Sequence, residues 1–136
     1  MDARCQCGNL TAHVADGAEP MTIMCHCIDC QRRTGSPLGT ISYFPKEAVT
    51  VAGEAREFTR PTDSGYTFTT GFCPSCGSTV YAAASRMPDI FGVPVGAFAD
   101  PHGTAPIRSV YEQSKHEWVP MHEGMTHHPQ GRDTSW

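Results

Sequence analysis

The seven cysteines of this 136-residue chain constrain its fold more than any other feature, because they occur in three tight clusters. The first and third clusters contain two cysteines each and the middle cluster contains three: Cys5 and Cys7; Cys25, Cys27 and Cys30; Cys73 and Cys76. A structural zinc ion takes four protein ligands, whereas a catalytic zinc ion takes three and keeps one open position. The cluster sizes therefore predict one closed and one open zinc site.

Disulfide bonds are a weaker interpretation of the same cysteines. An odd number leaves one thiol unpaired, which is unusual in an oxidised secreted protein. The first residues contain no apolar run of the kind found in secretory signals, and no segment approaches the roughly 20 apolar residues of a membrane helix. We therefore expect a soluble, cytoplasmic protein that has reduced thiols and does not associate with membranes.

Composition limits the partners that the protein can have. The formal net charge is −4 and no basic patch is present, so a nucleic-acid partner is not expected. A hydrophobic content of 39% is typical of a globular protein. The length fits one domain with a modest core, which metal ions would help to stabilise. Nothing in the composition indicates a particular oligomeric state.

Short alternating runs, interrupted by glycine and proline, predict a mainly β fold. The predicted strands lie within residues 10–14, 39–44, 49–51, 66–72, 78–81 and 90–98. Pro94 predicts an edge or a bulge in the last of them, and a helical turn is expected after Cys30. We place the zinc-binding domain at residues 1–120 and an irregular, histidine-containing tail at residues 121–136.

The first and third clusters fit a closed structural zinc site. The Cys73-Pro74-Ser75-Cys76 spacing lets two sulfurs reach one ion, and Gly77 permits a left-handed turn behind them. Cys5 and Cys7 offer a second pair from another part of the chain. Together the four sulfurs fill a tetrahedral site, although two unrelated pairs are the alternative.

The middle cluster, Cys25, Cys27 and Cys30, predicts a catalytic zinc site with an open fourth position. Three thiolates leave a zinc ion with a net negative charge, which suits it to hold an exogenous thiol in its nucleophilic form rather than to activate water. Two alternatives are open: a second structural site completed by His26 or His102, and a metal-free redox cluster. In an extended segment His26 points away from its cysteine neighbours.

Arg32 and Arg33 follow the middle cluster directly and are candidate substrate-binding residues. A guanidinium group can bind a carboxylate through two parallel hydrogen bonds. The alternative is a solvated, charged turn that balances the nearby thiolates.

These motifs resemble those of the glutathione-dependent formaldehyde-activating enzyme family, whose domain is shared with centromere protein V. The resemblance extends over roughly residues 3–120 and is carried by three motifs in order, at residues 5–8, 25–36 and 72–78. It implies a β-tent fold of small antiparallel sheets stapled by zinc. It also implies two zinc ions per chain, a structural ion at Cys5, Cys7, Cys73 and Cys76 and a catalytic ion at Cys25, Cys27 and Cys30.

The activity implied by the resemblance is that of a carbon–sulfur lyase, S-(hydroxymethyl)glutathione synthase. We accordingly expect a zinc-dependent enzyme that adds glutathione or a similar small thiol to formaldehyde or another small electrophile. The alternative from a different class is a non-catalytic, zinc-stabilised binding module of the same fold, as centromere protein V suggests.

Overall fold

The computed structural model describes residues 1–136, which form two compact units. Unit 1 comprises Met1–Pro20 and Ser42–Gly103, and unit 2 comprises Met21–Ile41 and Thr104–Trp136. The helices are short: α1 (Ile28–Thr34), α2 (Val95–Phe98) and two 3₁₀ turns, Lys46–Ala48 and Glu112–Ser114. The rest of the regular structure is β, which confirms the mainly β prediction. No helix is long and apolar enough to span a bilayer.

Unit 1 contains most of the strands. Those wholly within it are β1 (Asp2–Arg4), β2 (Thr11–Val14), β5 (Val49–Ala52), β6 (Arg56–Pro61), β7 (Thr67–Phe72), β8 (Thr79–Ala84) and β9 (Ile90–Pro94). The first three form an antiparallel sheet in the order β1-β2-β5, and the others pair antiparallel in the order β9-β8-β7-β6. Strand β4 (Gly39–Pro45) begins in unit 2 and ends in unit 1 beside β9.

The core of unit 1 surrounds two of its cysteines. Its fully buried members are Ala3, Cys5, Leu10, Ala12, Val14, Phe44, Cys73, Val80 and Val93. Phe44 meets Phe98 edge to face, with ring centroids 6.2 Å apart, a geometry that aromatic pairs favour. Because Cys5 and Cys73 belong to this core, the apolar packing fixes their sulfurs in place.

Unit 2 is built on β3 (Met21–Cys25), which continues into the loop before α1. β3 pairs parallel with β10 (Arg108–Val110), and β10 pairs parallel with the two-residue strand β11 (Thr126–His127). These parallel pairs are an addition to the antiparallel sheets expected from the sequence. They arise because β10 returns to β3 from a distant part of the chain and β11 then pairs with the other edge of β10.

Hydrogen bonds between buried and half-buried polar groups hold the last residues of the chain against the rest of unit 2. His128 is 5% exposed, its Nδ1 donates to the carbonyl oxygen of Thr134, and its Nε2 lies 2.6 Å from Arg108 Nη1. Glu112 accepts hydrogen bonds from His127 and from the Trp136 indole. The division into a domain at 1–120 and an irregular tail at 121–136 stays a prediction.

The carboxylate of Glu112 makes this attachment depend on pH. Partial burial raises the pKa of Glu112, but the hydrogen bonds from His127, Ser109 and Trp136 outweigh burial and lower it below 4.5. A lowered folded-state pKa means that the carboxylate stabilises the fold above its ordinary pKa. This contribution is lost as the pH falls through the folded-state pKa.

We therefore expect acidification below the ordinary pKa of a glutamate to accelerate amide hydrogen exchange at His128, relative to its intrinsic rate, in the natural protein. Glu112→Gln should accelerate that exchange already at neutral pH and flatten the acid response. Glu117→Gln is the matched control, since Glu117 is exposed, and should resemble the natural protein. Equal exchange in Glu112→Gln and Glu117→Gln would contradict the role of Glu112.

Candidate metal centres

The four cysteines of the first and third clusters converge in unit 1, with their sulfur atoms all within 4.8 Å of one another. Cys7 Sγ lies 3.6 Å from both Cys5 Sγ and Cys73 Sγ. Sulfurs bound to a tetrahedral zinc at about 2.3 Å would be about 3.8 Å apart, whereas a disulfide requires about 2.05 Å. The free thiols are therefore spaced as ligands of one ion.

Two similar turns present these sulfurs. The Gly8 N–H donates to the Cys5 carbonyl at 3.1 Å, and the Gly77 N–H donates to the Cys73 carbonyl at 2.8 Å. Both glycines have a left-handed backbone conformation, with φ of 84° and 77°. Glycine adopts this conformation readily because it has no Cβ. The left-handed turn predicted at Gly77 is thus confirmed. In each turn a backbone N–H also points at the first sulfur, from Leu10 to Cys5 and from Ser75 to Cys73.

Hydrogen bonding distributes negative charge unevenly among the four sulfurs. The Ser78 hydroxyl, 3.4 Å from Cys76 Sγ, together with the backbone N–H groups of Cys7 and Ser78, lowers the pKa of Cys76 to about 5. At Cys7 the Asn9 N–H lowers the pKa, but desolvation and the other sulfurs raise it to about 11. Without a cation the cluster cannot hold four thiolates at neutral pH, so the donor set suits a divalent metal ion.

The middle cluster converges separately in unit 2. Cys25 ends β3, Cys27 caps the N-terminus of α1 and Cys30 lies in its first turn. Their three sulfurs lie within 4.8 Å of one another, and no histidine, aspartate or glutamate completes the group. The cluster thus offers three ligands, as the sequence predicted.

The local sequence explains why the loop turns into a helix at this point. Cys27 is extended, with ψ of 154°, and its Sγ accepts the Cys30 N–H at 3.3 Å, so a cysteine takes the place of the usual serine or aspartate cap. The helix ends at Thr34 and is capped by Gly35, whose backbone is left-handed with φ of 67°. The predicted helical turn after Cys30 therefore exists but begins two residues before it.

Crowding opposes ionisation of the middle cluster. Hydrogen bonds with Cys27 and Cys30, followed by burial, raise the pKa of Cys25 far above its ordinary value. At Cys30 the hydrogen bond with Cys25 lowers the pKa, but Cys27 and burial raise it by more, and Arg33 offsets part of that rise. Three thiolates at this spacing thus need a cation, which again suits a metal ion.

Neither histidine suspected from the sequence completes the middle cluster. His26 is fully buried and its Nε2 lies 3.1 Å from Ser109 Oγ, so the ring points away from the sulfurs, as its alternation with Cys25 and Cys27 predicted. His102 lies in unit 1, in a turn where its N–H donates to Asp100 Oδ1 at 2.9 Å. The structure thus does not support the closed site that these two histidines would form.

The structure distinguishes the two candidate arginines. Arg32 is exposed. Arg33 instead packs against Gly39, where an added Cβ would lie 2.7 Å from Nη2 and 3.5 Å from the Cβ of Cys30. Its Nε and Nη2 are buried and have no hydrogen-bond partner. Buried polar nitrogens without a partner are unfavourable, so these two Arg33 nitrogens, which lie beside Cys30, distinguish Arg33 from the exposed Arg32.

Residues that the sequence did not single out connect the middle cluster to a later loop. The Gln31 Nε2 donates to the carbonyl oxygens of His26 and Ser114, at 2.9 and 3.1 Å. The Gln31 Oε1 lies 2.8 Å from Nε2 of His116. The contacts of Gln31 with Ser114 and His116 span 83 and 85 positions of sequence, and local patterns carry no signal of such distant pairs.

A mainly β chain with one four-sulfur and one three-sulfur cluster falls into the class of cysteine-rich proteins that can bind two metal ions. Comparison with protein families narrows this class. The family model described as glutathione-dependent formaldehyde-activating enzyme matches residues 1–114. The chain belongs to this family, which confirms the resemblance inferred from the cysteine motifs.

A solved structure supports the fold. The crystal structure of a protein from Rhodobacter sphaeroides matches with a TM-score of 0.54 and 21% sequence identity, covering 78% of this chain and 92% of that chain. At this identity the likeness concerns the fold. No curated protein sequence matches the chain.

The two clusters should bind metal independently, because each lies in its own unit. We expect the natural protein to bind two Co²⁺ ions with strong sulfur-to-cobalt absorption. Cys7→Ser and Cys27→Ser should each bind one, and the two single-site spectra should add up to that of the natural protein. Loss of both ions in either variant would contradict this independence.

Proposed function

We propose that the chain is a zinc-dependent enzyme of the carbon–sulfur lyase type, which adds glutathione or a similar small thiol to formaldehyde or another small electrophile. The observation that carries the proposal is the three-sulfur cluster with no fourth protein ligand. A zinc ion held by Cys25, Cys27 and Cys30 would supply a vacant position at which an exogenous thiol binds as a nucleophilic thiolate. Cys5, Cys7, Cys73 and Cys76 would hold a structural zinc ion.

The reaction makes modest demands on the protein. The thiol loses its proton, its sulfur forms a bond to the carbonyl carbon, and the carbonyl oxygen gains a proton to become a hydroxyl group. Because this addition is already easy without a catalyst, the residues contribute mainly by holding the two reactants together and by moving the proton. The reverse reaction, cleavage of the carbon–sulfur bond, uses the same groups.

Arg33 is the residue that we assign to substrate binding. Glutathione carries two carboxylates, and a guanidinium can bind one of them through charge-assisted hydrogen bonds. Two nitrogens of the Arg33 guanidinium, Nε and Nη2, have no hydrogen-bond partner within the protein. Its position beside Cys30 would then bring the thiol end of the same molecule near the three sulfurs. Arg32, which is exposed, contributes a more screened charge.

The thiol position can be tested with cobalt in place of zinc. Addition of glutathione should change the ligand-field absorption of Co²⁺ at the three-cysteine cluster, because a fourth sulfur enters the coordination shell. The Cys7→Ser variant isolates this signal, and Cys27→Ser should give no response. If neither glutathione nor other small thiols alter the Cys7→Ser spectrum, the proposed function is wrong and a zinc-stabilised binding module becomes the better interpretation.

The two arginines should differ in a kinetic test. Arg33→Gln should raise the KM for glutathione roughly 10-fold or more, since a charge-assisted hydrogen bond to a carboxylate is lost. Arg32→Gln is the matched control and should change KM by no more than about 2-fold. For a small thiol without carboxylates, Arg33→Gln should behave like the natural protein. Equal KM values for glutathione in the two variants would remove Arg33 from the binding site.

A further inference from the structure

His116 is the histidine of unit 2 that is exposed and hydrogen-bonded to α1. Its Nε2 lies 2.8 Å from Gln31 Oε1, and Gln31 directly follows Cys30. Its ring meets Trp118 edge to face, with centroids 6.0 Å apart. The other histidines of unit 2 differ, since His26 and His128 are buried. His122 is hydrogen-bonded to the Pro106 carbonyl, and His127 to the Glu112 carboxylate.

The hydrogen bonds of Gln31 determine which nitrogen of His116 carries the proton. The Gln31 amide nitrogen already donates to two carbonyl groups, those of His26 and Ser114. The atom facing His116 is therefore the amide oxygen, which can only accept. By this assignment His116 carries hydrogen on Nε2, and its Nδ1 keeps the lone pair that can take up a proton.

The loop that carries His116 is tied to the cysteine segment by further contacts. Ser114 Oγ donates to the His26 carbonyl at 2.9 Å, and His26 stands between Cys25 and Cys27. The same carbonyl accepts from Gln31. His116 is therefore held beside the loop that presents the three sulfurs, while its exposed ring can exchange protons with water.

We propose that His116 is the proton-transfer group of the three-cysteine site and that Gln31 is the positioning residue that keeps Nδ1 free. This inference rests on the proposed function. His116 Nδ1 accepts the proton that the substrate thiol releases. After the carbon–sulfur bond has formed and the carbonyl π bond has broken, the protonated ring returns this proton to the new alkoxide oxygen. No other reactant is consumed.

The test uses the zinc-loaded full chain and measures glutathione–formaldehyde exchange at equilibrium by NMR. His116→Ala should lower kcat roughly 100-fold, within the usual range for the loss of a general acid–base group, and should leave the KM for glutathione within about 2-fold. Added imidazole should restore part of the lost rate. His122→Gln, an exposed histidine outside the site, is the control and should match the natural protein.

Two further readouts separate a proton-transfer role from a structural one. His116→Ala should retain both metal ions and the cobalt response to glutathione. In the natural protein ¹⁵N NMR should show His116 predominantly as the Nε2–H form, and Gln31→Ala should give a mixture of both forms with a lowered kcat. A His116→Ala variant that is fully active, or whose defect imidazole does not relieve, would overturn the proposal. An inactive natural protein would instead contradict the proposed function itself.

Discussion

The repulsion between closely spaced thiolates is the constraint on which the rest of the structure depends. Seven sulfurs are held in two clusters in which every sulfur lies within 4.8 Å of its fellows. At such distances the thiols cannot all ionise unless a cation lies between them. The fold holds these groups together because two of the sulfurs, those of Cys5 and Cys73, are part of an apolar core. The apolar core therefore holds these two ligands at close range.

The two clusters are built on different principles. In unit 1 the sulfurs come from two turns far apart in sequence, each closed by a left-handed glycine. In unit 2 they come from six consecutive residues, where a strand ends and a short helix begins. The first arrangement offers four ligands, enough to fill a tetrahedral site, and an ion bound there would cross-link the chain. The second offers three ligands and has beside it an arginine with two buried nitrogens that lack a hydrogen-bond partner.

Local features of the sequence predicted a large part of this structure. The partition of cysteines follows from ligand counting, and strands such as β2, β4, β5 and β7 follow from alternation bounded by glycine and proline. The strands β1, β3, β6, β10 and β11 were not predicted. β1, β10 and β11 have only two or three residues each, and β3 forms by pairing with β10 from a distant part of the chain. β6 lacks the alternation of apolar residues on which the strand predictions were based. The same limit applies to the site. The sequence offered Arg32 and Arg33 equally, and only the packing around Gly39 separates them. Gln31 and His116 meet across 85 positions, so no spacing rule indicates their contact.

The compactness of the Cys25–Cys30 loop has a consequence for biosynthesis. A chain emerges from the ribosome from its N-terminus, so these three ligands are exposed before Cys73 and Cys76 have been made. A six-residue loop closes at little entropic cost, and it can acquire a metal ion while the rest of the protein is still unfolded. The four-cysteine cluster can assemble only once β7 and the turn that follows it have been made. If both clusters bind metal, the order of the cysteines along the chain would therefore favour loading of the three-cysteine cluster first.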